Sequence, residues 1–203
     1  MLTNPRPLKG LLQYGNHKLP TTTAIFNMGP AKTCPSLQKG FCQAFVDGKC
    51  VCYAMKAERF RPQVLPYRML QEKFWAAVRA EDFAAQLLDV QSRKRKKLEA
   101  IRFNESGDFR GQTCIQKADT IAGIIRPHNI ATYCYTAAED LDFSGVRNMN
   151  VYGSGFYKKG MAGEFKMIET EADLPKGYVL CKGDCRICKM CLRGVKKIAV
   201  LKH

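Results

Sequence analysis

The chain of 203 residues is 46% hydrophobic and 25% charged, which provides for a buried core and excludes a disordered chain. Lys and Arg number 33 against 18 Asp and Glu, a formal charge of +15, and such an excess favours an anionic partner, with nucleic acid the commonest. No stretch reaches the roughly 18 apolar residues of a membrane-crossing helix. The opening MLTNPRPLKGLLQYG lacks the apolar run of an export signal, so the expectation is a cytoplasmic protein with no membrane partner, built as one α/β domain over residues 1–203.

TTTAIFNMG (21–29) is β-branched at its start and ends in glycine, the pattern of a strand leaving into a loop. That loop carries Cys34, Cys42, Cys50 and Cys52, spaced C-x7-C-x7-C-x-C. A loop at the C-terminal edge of the first strand is where parallel sheets build their sites. Residues 66–100 read as one long helix. Leu70, Phe74 and Val78, then Phe83, Leu87 and Val90, recur at helical steps, and Pro66 stands at the start. Its tail, RKRKK (93–97), puts cations where a helix dipole favours them; a phosphate-binding patch is the second reading of the same run.

Short strands follow, each delivering a polar or glycine-rich loop: 98–103 into NESGDF, 129–136 into AAEDLDFSG, 148–153 into SGFYKKG, 163–169 into TEADLPKG. Residues 113–127 have helical spacing through Ile115, Ala118, Ile121, Ala122 and Ile125. Strands separated by helices predict a mostly parallel sheet with crossover helices. The later strands have little helix between them, so a full eightfold barrel does not fit, and the expected fold is a partial barrel or an open sheet. The strand at 177–180 leads into CKGDCRICKMC (181–191), and residues 181–203 form a cysteine-rich segment that closes the domain.

Thiols clustered in a reducing compartment point to metal rather than disulfides. Cys181, Cys185, Cys188 and Cys191 are spaced C-x3-C-x2-C-x2-C. Tetrahedral zinc usually takes two C-x2-C pairs across a longer loop, whereas one tight run resembles the ligation of an iron–sulfur cluster. A [4Fe–4S] cluster is the favoured reading and zinc the alternative. Lys182, Arg186, Lys189 and Arg193 alternate with the thiols and favour thiolates. Cys114 and Cys134 stand alone and read as small buried hydrophobes. His17, His128 and His203 show no paired ligand spacing, and there is no phosphate loop or H-E-x-x-H. GSG (153–155) reads as a turn. Tyr157 beside Lys158 and Lys159 offers base stacking or an exposed turn.

Taken in order, IFNMGPAKTCP, CYAMKAE, IRFNESGDF, YCYTAAED and CKGDCRICKMC…KH resemble the phage gene product 88 domain family over residues 22–203. The resemblance implies a viral origin, metal-binding cysteines and residence in the host cytoplasm during infection. By its pattern Cys50 is an extra thiol, leaving Cys34, Cys42 and Cys52 as candidate ligands beside the terminal four. A looser resemblance is to radical S-adenosylmethionine (SAM) enzymes, in which a cluster loop follows the first strand and a Gly/Glu loop after the second holds the SAM amino group. It implies CVCYA as the cluster loop and Glu105, Ser106 and Gly107 as a cofactor loop, with Glu105 or Asp108 as catalytic candidates. A helix cap is the other reading of Asp108. Three functions follow as expectations: an iron–sulfur enzyme acting on nucleic acid or nucleotide, a non-catalytic nucleic-acid-binding protein with a structural metal, and a protein that binds a host factor.

Overall fold

The computed structural model describes residues 7–42 and 44–202, so His203 lies outside it. In chain order the described elements begin with β1 (Gln13–Tyr14) and β2 (Thr23–Phe26). The first cysteine loop then carries α1 (Pro35–Gln38) and a small hairpin, β3 (Phe45–Val46) with β4 (Lys49–Cys50). Next come α2 (Tyr53–Phe60), α3 (Val64–Ala77), α4 (Ala80–Arg93), β5 (Ala100–Phe103), α5 (Gln112–Ile125), β6 (Ala131–Thr136), β7 (Asn150–Ser154) and β8 (Gly163–Ile168). The chain ends with β9 (Val179–Leu180), α6 (Cys185–Cys188) and β10 (Lys197–Leu201).

Eight strands form one sheet in the order β1-β2-β5-β6-β7-β8-β10-β9, with every pair parallel except β1 with β2. The fold is therefore mixed α/β around a mostly parallel sheet, as the strand–helix alternation predicts. From β2 to β8 the strands advance across the sheet in one direction. Right-handed crossovers then put all the connecting helices on one face. The core agrees: Phe74 and Trp75 of α3, Phe83, Leu87 and Val90 of α4, and Ile115, Ile121 and Ile125 of α5 pack in one cluster against Ala24, Phe26, Ile101, Phe103, Cys134 and Val151. Phe26 sits at its centre, its ring 5.1 Å from Phe83 and 6.0 Å from Trp75.

The expected helix over 66–100 is two helices. Val78 and Arg79 are extended (ψ 141 and 159), and Glu81 and Asp82 then fall in the first turn of α4, where the helix dipole favours carboxylates. Helical spacing on both sides of the break is consistent enough to hide it. Sequence reading also missed α2 and β10. The run KIAVL follows the cysteine segment closely and reads as a tail, yet it forms five parallel pairs with β8 and separates β8 from β9.

The other face of the sheet is not covered by α3, α4 or α5. Strand alternation sends Ile25, Ala100, Tyr133 and Tyr135 to this side, where they meet Leu19, Cys185, Cys191 and Leu192. Register aligns Arg102 with Tyr133, Tyr133 with Asn150, and Tyr135 with Tyr152. The terminal cysteine segment is thus folded back over a polar, aromatic sheet face.

Candidate functional site at the strand ends and the polar sheet face

Beyond the C-terminal ends of β2, β5 and β6, side chains replace the sheet ladder as the source of hydrogen bonds. Asn27 donates to Gln71 Oε1 (3.2 Å) and accepts from Ser106 N (2.8 Å), tying the loop after β2 to the loop after β5. Gly107 is left-handed (φ +72), and a Cβ there would lie 2.7 Å from the Gly29 carbonyl oxygen, so only glycine lets these two loops touch. Asp108 is buried and accepts four bonds: from Thr136 Oγ1 (2.7 Å) and Phe109 N (2.8 Å) at Oδ1, and from Ser36 Oγ (2.7 Å) and Ala137 N (2.8 Å) at Oδ2. It therefore joins the loops after β2, β5 and β6. Glu58 of α2 pairs with Arg68 of α3 at 2.8 Å, with side chains 4% and 7% exposed, and accepts from Ala31 N and Lys32 N.

The first cysteine group gathers on this framework. Burial pushes the Cys34 thiol up to about 11, with Asp108 and Cys42 adding to the rise. Burial likewise raises Cys42, with Cys52 and then Asp108 adding. Cys42 thus sits within electrostatic reach of Cys34, Cys52 and Asp108. Cys50, in the hairpin, instead points its Sγ toward the Cys52 carbonyl at 3.7 Å.

Between this edge and the terminal segment lies Arg102, its side chain 16% exposed. Its Nη2 is 3.3 Å from Tyr53 Oη, its Nη1 is 3.9 Å from Glu105 Oε1, and its guanidinium lies over the Tyr135 ring at 5.2 Å. Asn16 donates to the same Glu105 oxygen at 2.7 Å, and Tyr53 Oη donates to the Glu105 carbonyl at 2.5 Å. Two groups here are buried without a hydrogen-bond partner among the described residues, Arg102 Nε and both side-chain polar atoms of Asn104. Asn104 has positive φ (57), placing it at the turn where β5 ends.

The terminal run docks from the far side of Arg102. Tyr135 Oη and Cys191 Sγ are 2.7 Å apart, Asn150 Nδ2 donates to the Cys191 and Leu192 carbonyls (2.9 and 3.0 Å), and Tyr152 Oη donates to the Cys191 carbonyl at 3.3 Å. Cys185 N donates to the Lys18 carbonyl at 3.1 Å, and Lys189 pairs with Glu99 at 2.7 Å. Asp184 caps α6 by accepting from Arg186 N, and Lys189, left-handed at φ 50, reverses the chain after it. Burial pushes Cys191 up to about 11; the Tyr135 hydroxyl opposes that rise, and Cys181, Cys185 and Cys188 reinforce it. Cys191 therefore feels the other three thiols, and Cys185 feels Cys181 and Cys188.

Among the described residues, no three Cys, His, Asp or Glu side chains are drawn together closely enough to hold a single metal ion. Zn–S bonds of about 2.3 Å place tetrahedral sulfurs under about 4 Å apart. A cubane cluster holds its thiolates further apart than that. Softness of the donors fits both groups: four thiols in the terminal segment, three at the strand ends.

The structure thus places Cys42 within electrostatic reach of Cys34, Cys52 and Asp108, and Cys191 within reach of Cys181, Cys185 and Cys188, without gathering three ligands at one point in either group among the described residues. Ser106 and Gly107 serve loop–loop contact, and the Asp108 carboxylate is fully occupied by the strand-end loops. A Cβ on Gly153 would meet the Phe156 carbonyl oxygen at 2.2 Å, so the GSG turn is crowded by its own chain. Sequence reading missed Arg102, Tyr53, Tyr133, Tyr135 and Asn150. For Arg102, Tyr133 and Tyr135 the signal was an arginine and alternate tyrosines inside strands.

Fold and site together define an α/β protein with helices on one face of a parallel sheet and cysteine-bearing loops at its strand ends and on its other face. The sequence model described as gene product 88 matches residues 3–152, and the chain belongs to that family. The matched residues include the first cysteine group, the ESGDF loop and β6; the terminal cysteine run lies beyond them. No curated protein and no solved structure matches the chain.

Proposed function

We propose that this chain is a phage iron–sulfur protein acting on nucleic acid or nucleotide. Cys181, Cys185, Cys188 and Cys191 hold a [4Fe–4S] cluster, and Cys34, Cys42 and Cys52 form a second site. The observation that carries this reading is that Arg102 reaches both Tyr53, next to Cys52, and the surroundings of Cys185 in the terminal run. Four thiolates saturate a cubane and suit a structural or electron-relaying role, whereas three leave a coordination position for an exogenous group. When bound, the three-thiolate group would supply one-electron chemistry at the strand ends. The chain's own residues would shape that edge: Asp108 fixes the three loops, Glu105 offers a carboxylate held by Asn16, and Arg102 offers positive charge to an anionic substrate. One-directional strand order with helices on one face also supports a partial-barrel winding, in which sites lie at the C-terminal strand ends. SAM is the cofactor candidate for the Glu105–Gly107 loop.

Anaerobic purification with iron, sulfide and zinc analysis tests the reading. About eight irons per chain are expected, falling to about four when Cys34, Cys42 and Cys52 are changed together to Ala, and to about four when the terminal four are changed. SAM binding lost in Glu105→Ala assigns the cofactor loop. Stoichiometric zinc in colourless protein overturns the iron–sulfur reading and favours a non-catalytic binding protein with a structural metal.

A further inference from the structure

The N-terminal edge of the sheet, opposite the first cysteine loop, holds a second polar feature. Helices α4 and α5 pack side by side and run the same way, so their C-terminal ends lie together at this edge. There a cavity of about 670 Å³ is lined by Thr22, Gln91, Lys97, Leu98, Glu99, His128 and Asn129. The basic run 93–97 leaves α4 on one side of it, and Arg126–His128 leaves α5 on the other.

Dipole compensation accounts for only part of this charge. Lys97 Nζ donates to the Gln91 and Ser92 carbonyls (3.1 and 2.9 Å), and so caps α4. Arg93 is paired with Asp89 at 2.7 Å, and Lys94 lies over the Tyr14 ring at 3.8 Å. Among the described residues, Arg95, Lys96 and Arg126 have no ion-pair partner, and all three are exposed. The one carboxylate lining the cavity, Glu99, is neutralised by Lys189. Gln91 holds the basic loop rigid, accepting from Leu98 N (2.6 Å) and donating to the Leu98 carbonyl (3.4 Å). Arg95 and Lys96 are thus presented on a loop whose base Gln91 ties together, with Arg126 beside it after α5.

We propose that this edge is a nucleic-acid-binding surface, with Arg95, Lys96 and Arg126 contacting backbone phosphates on either side of the cavity. It rests on the proposed reading of a nucleic-acid partner and gives that partner a surface at the opposite strand edge from the first cysteine group, reached by the terminal run through the Lys189–Glu99 pair. The chemistry of the rim selects among polyanions. Exposed large hydrophobics such as Phe45, Phe60, Met167 and Ile187 all lie elsewhere. The patch therefore lacks the apolar anchors that hold an amphipathic surface in a bilayer and the apolar core that a protein partner needs. Phosphate contacts need neither, and carry no sequence preference of their own.

The test is binding of a fluorescent DNA duplex and single strand to the purified full chain across a salt series. One variant carries Arg95→Ala, Lys96→Ala and Arg126→Ala; a control removes equal charge elsewhere through Arg61→Ala, Lys166→Ala and Lys176→Ala. Each lost phosphate contact lowers the slope of log affinity against log salt by about 0.9 on duplex DNA. The patch variant should therefore lose about 2.7 from the slope and at least about tenfold in affinity at low salt, with the control near wild type. Equal losses in both variants, no salt-dependent binding by wild type, or equally tight binding of polyglutamate or anionic vesicles would each overturn the proposal. Metal and sulfide are measured on the same samples. A loaded protein that ignores DNA sinks the patch and leaves the metal reading, and a metal-free protein whose DNA binding depends on these three residues does the reverse.

Discussion

Asp108 gives the sharpest test of how the strand-end loops are held. Its oxygens accept from two backbone N–H groups, Phe109 and Ala137, and from two hydroxyls, Ser36 and Thr136, all at 2.7–2.8 Å. Asp108→Asn keeps the shape but only one acceptor oxygen. The hydroxyls can rotate to accept from the new amide, whereas a backbone N–H cannot. Since the two N–H groups face different oxygens, either orientation of the amide sets one of them against another donor. A buried unsatisfied amide costs about 1–3 kcal/mol. At about 2–4 °C per kcal/mol for a chain of this size, Asp108→Asn should lower Tm by about 2–12 °C. Asp108→Ala removes all four acceptances and should cost about twice as much. Urea unfolding of the two variants reads the difference, and hydrogen exchange at Phe109 and Ala137 reports which amide was released. Asn within about 0.5 kcal/mol of wild type, or Ala no worse than Asn, would refute the claim that this carboxylate is the junction of the three loops.

Other consequences follow from the same geometry. Glu58→Ala leaves Arg68 buried and unpaired, and should cost roughly 3–5 kcal/mol in urea unfolding. Gly107→Ala meets both a left-handed backbone, about 1–2 kcal/mol, and the Gly29 carbonyl oxygen 2.7 Å away, so it should destabilise by more than the backbone alone; a smaller loss would mean that the loops can part. In metal-free protein Tyr135→Phe removes the hydroxyl that holds the Cys191 thiol down, so alkylation of Cys191 should slow, and an unchanged rate would show that the hydrogen bond does not act on the thiol. Burial pushes Cys34 and Cys191 to about 11 from an ordinary 9, so the native state keeps protons that the unfolded chain loses. Stability of the metal-free protein should therefore fall as pH rises from about 9 to about 11, seen as a lower urea midpoint at about pH 10 than at about pH 8.

The fold was legible where periodicity was clean. Strand–loop–helix alternation gave the parallel sheet, and the 113–127 spacing gave α5 to within two residues at each end. It was not legible where tertiary contact decides. Nothing in the spacing of 66–100 marks the extended Val78–Arg79 pair, because apolar residues on both sides serve the same core. Strand β10 is specified by a long-range parallel partner, β8, that no local window contains. At the site, the cysteines announce themselves by spacing. The polar face does not: Arg102 looks like a lone charge in an apolar strand until register sets it beside Tyr133 and beneath the terminal segment.

Arg102 also explains why the two cysteine groups belong to one electrostatic problem. Its nearest carboxylate stands off at 3.9 Å, and its Nε has no partner among the described residues. The aromatic face of Tyr135 at 5.2 Å offers only a modest counterweight. A cation so placed, its side chain only 16% exposed, is costly unless negative charge faces it. The groups that surround it are Glu105, tyrosines and, through Cys185 and Cys191 on one side and Cys52 by way of Tyr53 on the other, thiols. Protonated thiols contribute nothing to that balance, whereas thiolates contribute negative charge, offset in part by any metal they bind. Burial works against the Arg102 charge, but Tyr53, Tyr135, Tyr133 and Glu105 more than offset it and hold the guanidinium charged; metal ligation, the ordinary way to keep buried thiolates at neutral pH, would add negative charge to that balance. Arg102 draws the Cys185 thiol down against burial, and a thiolate there would in turn favour the Arg102 charge, the condition that the proposed metal loading would use.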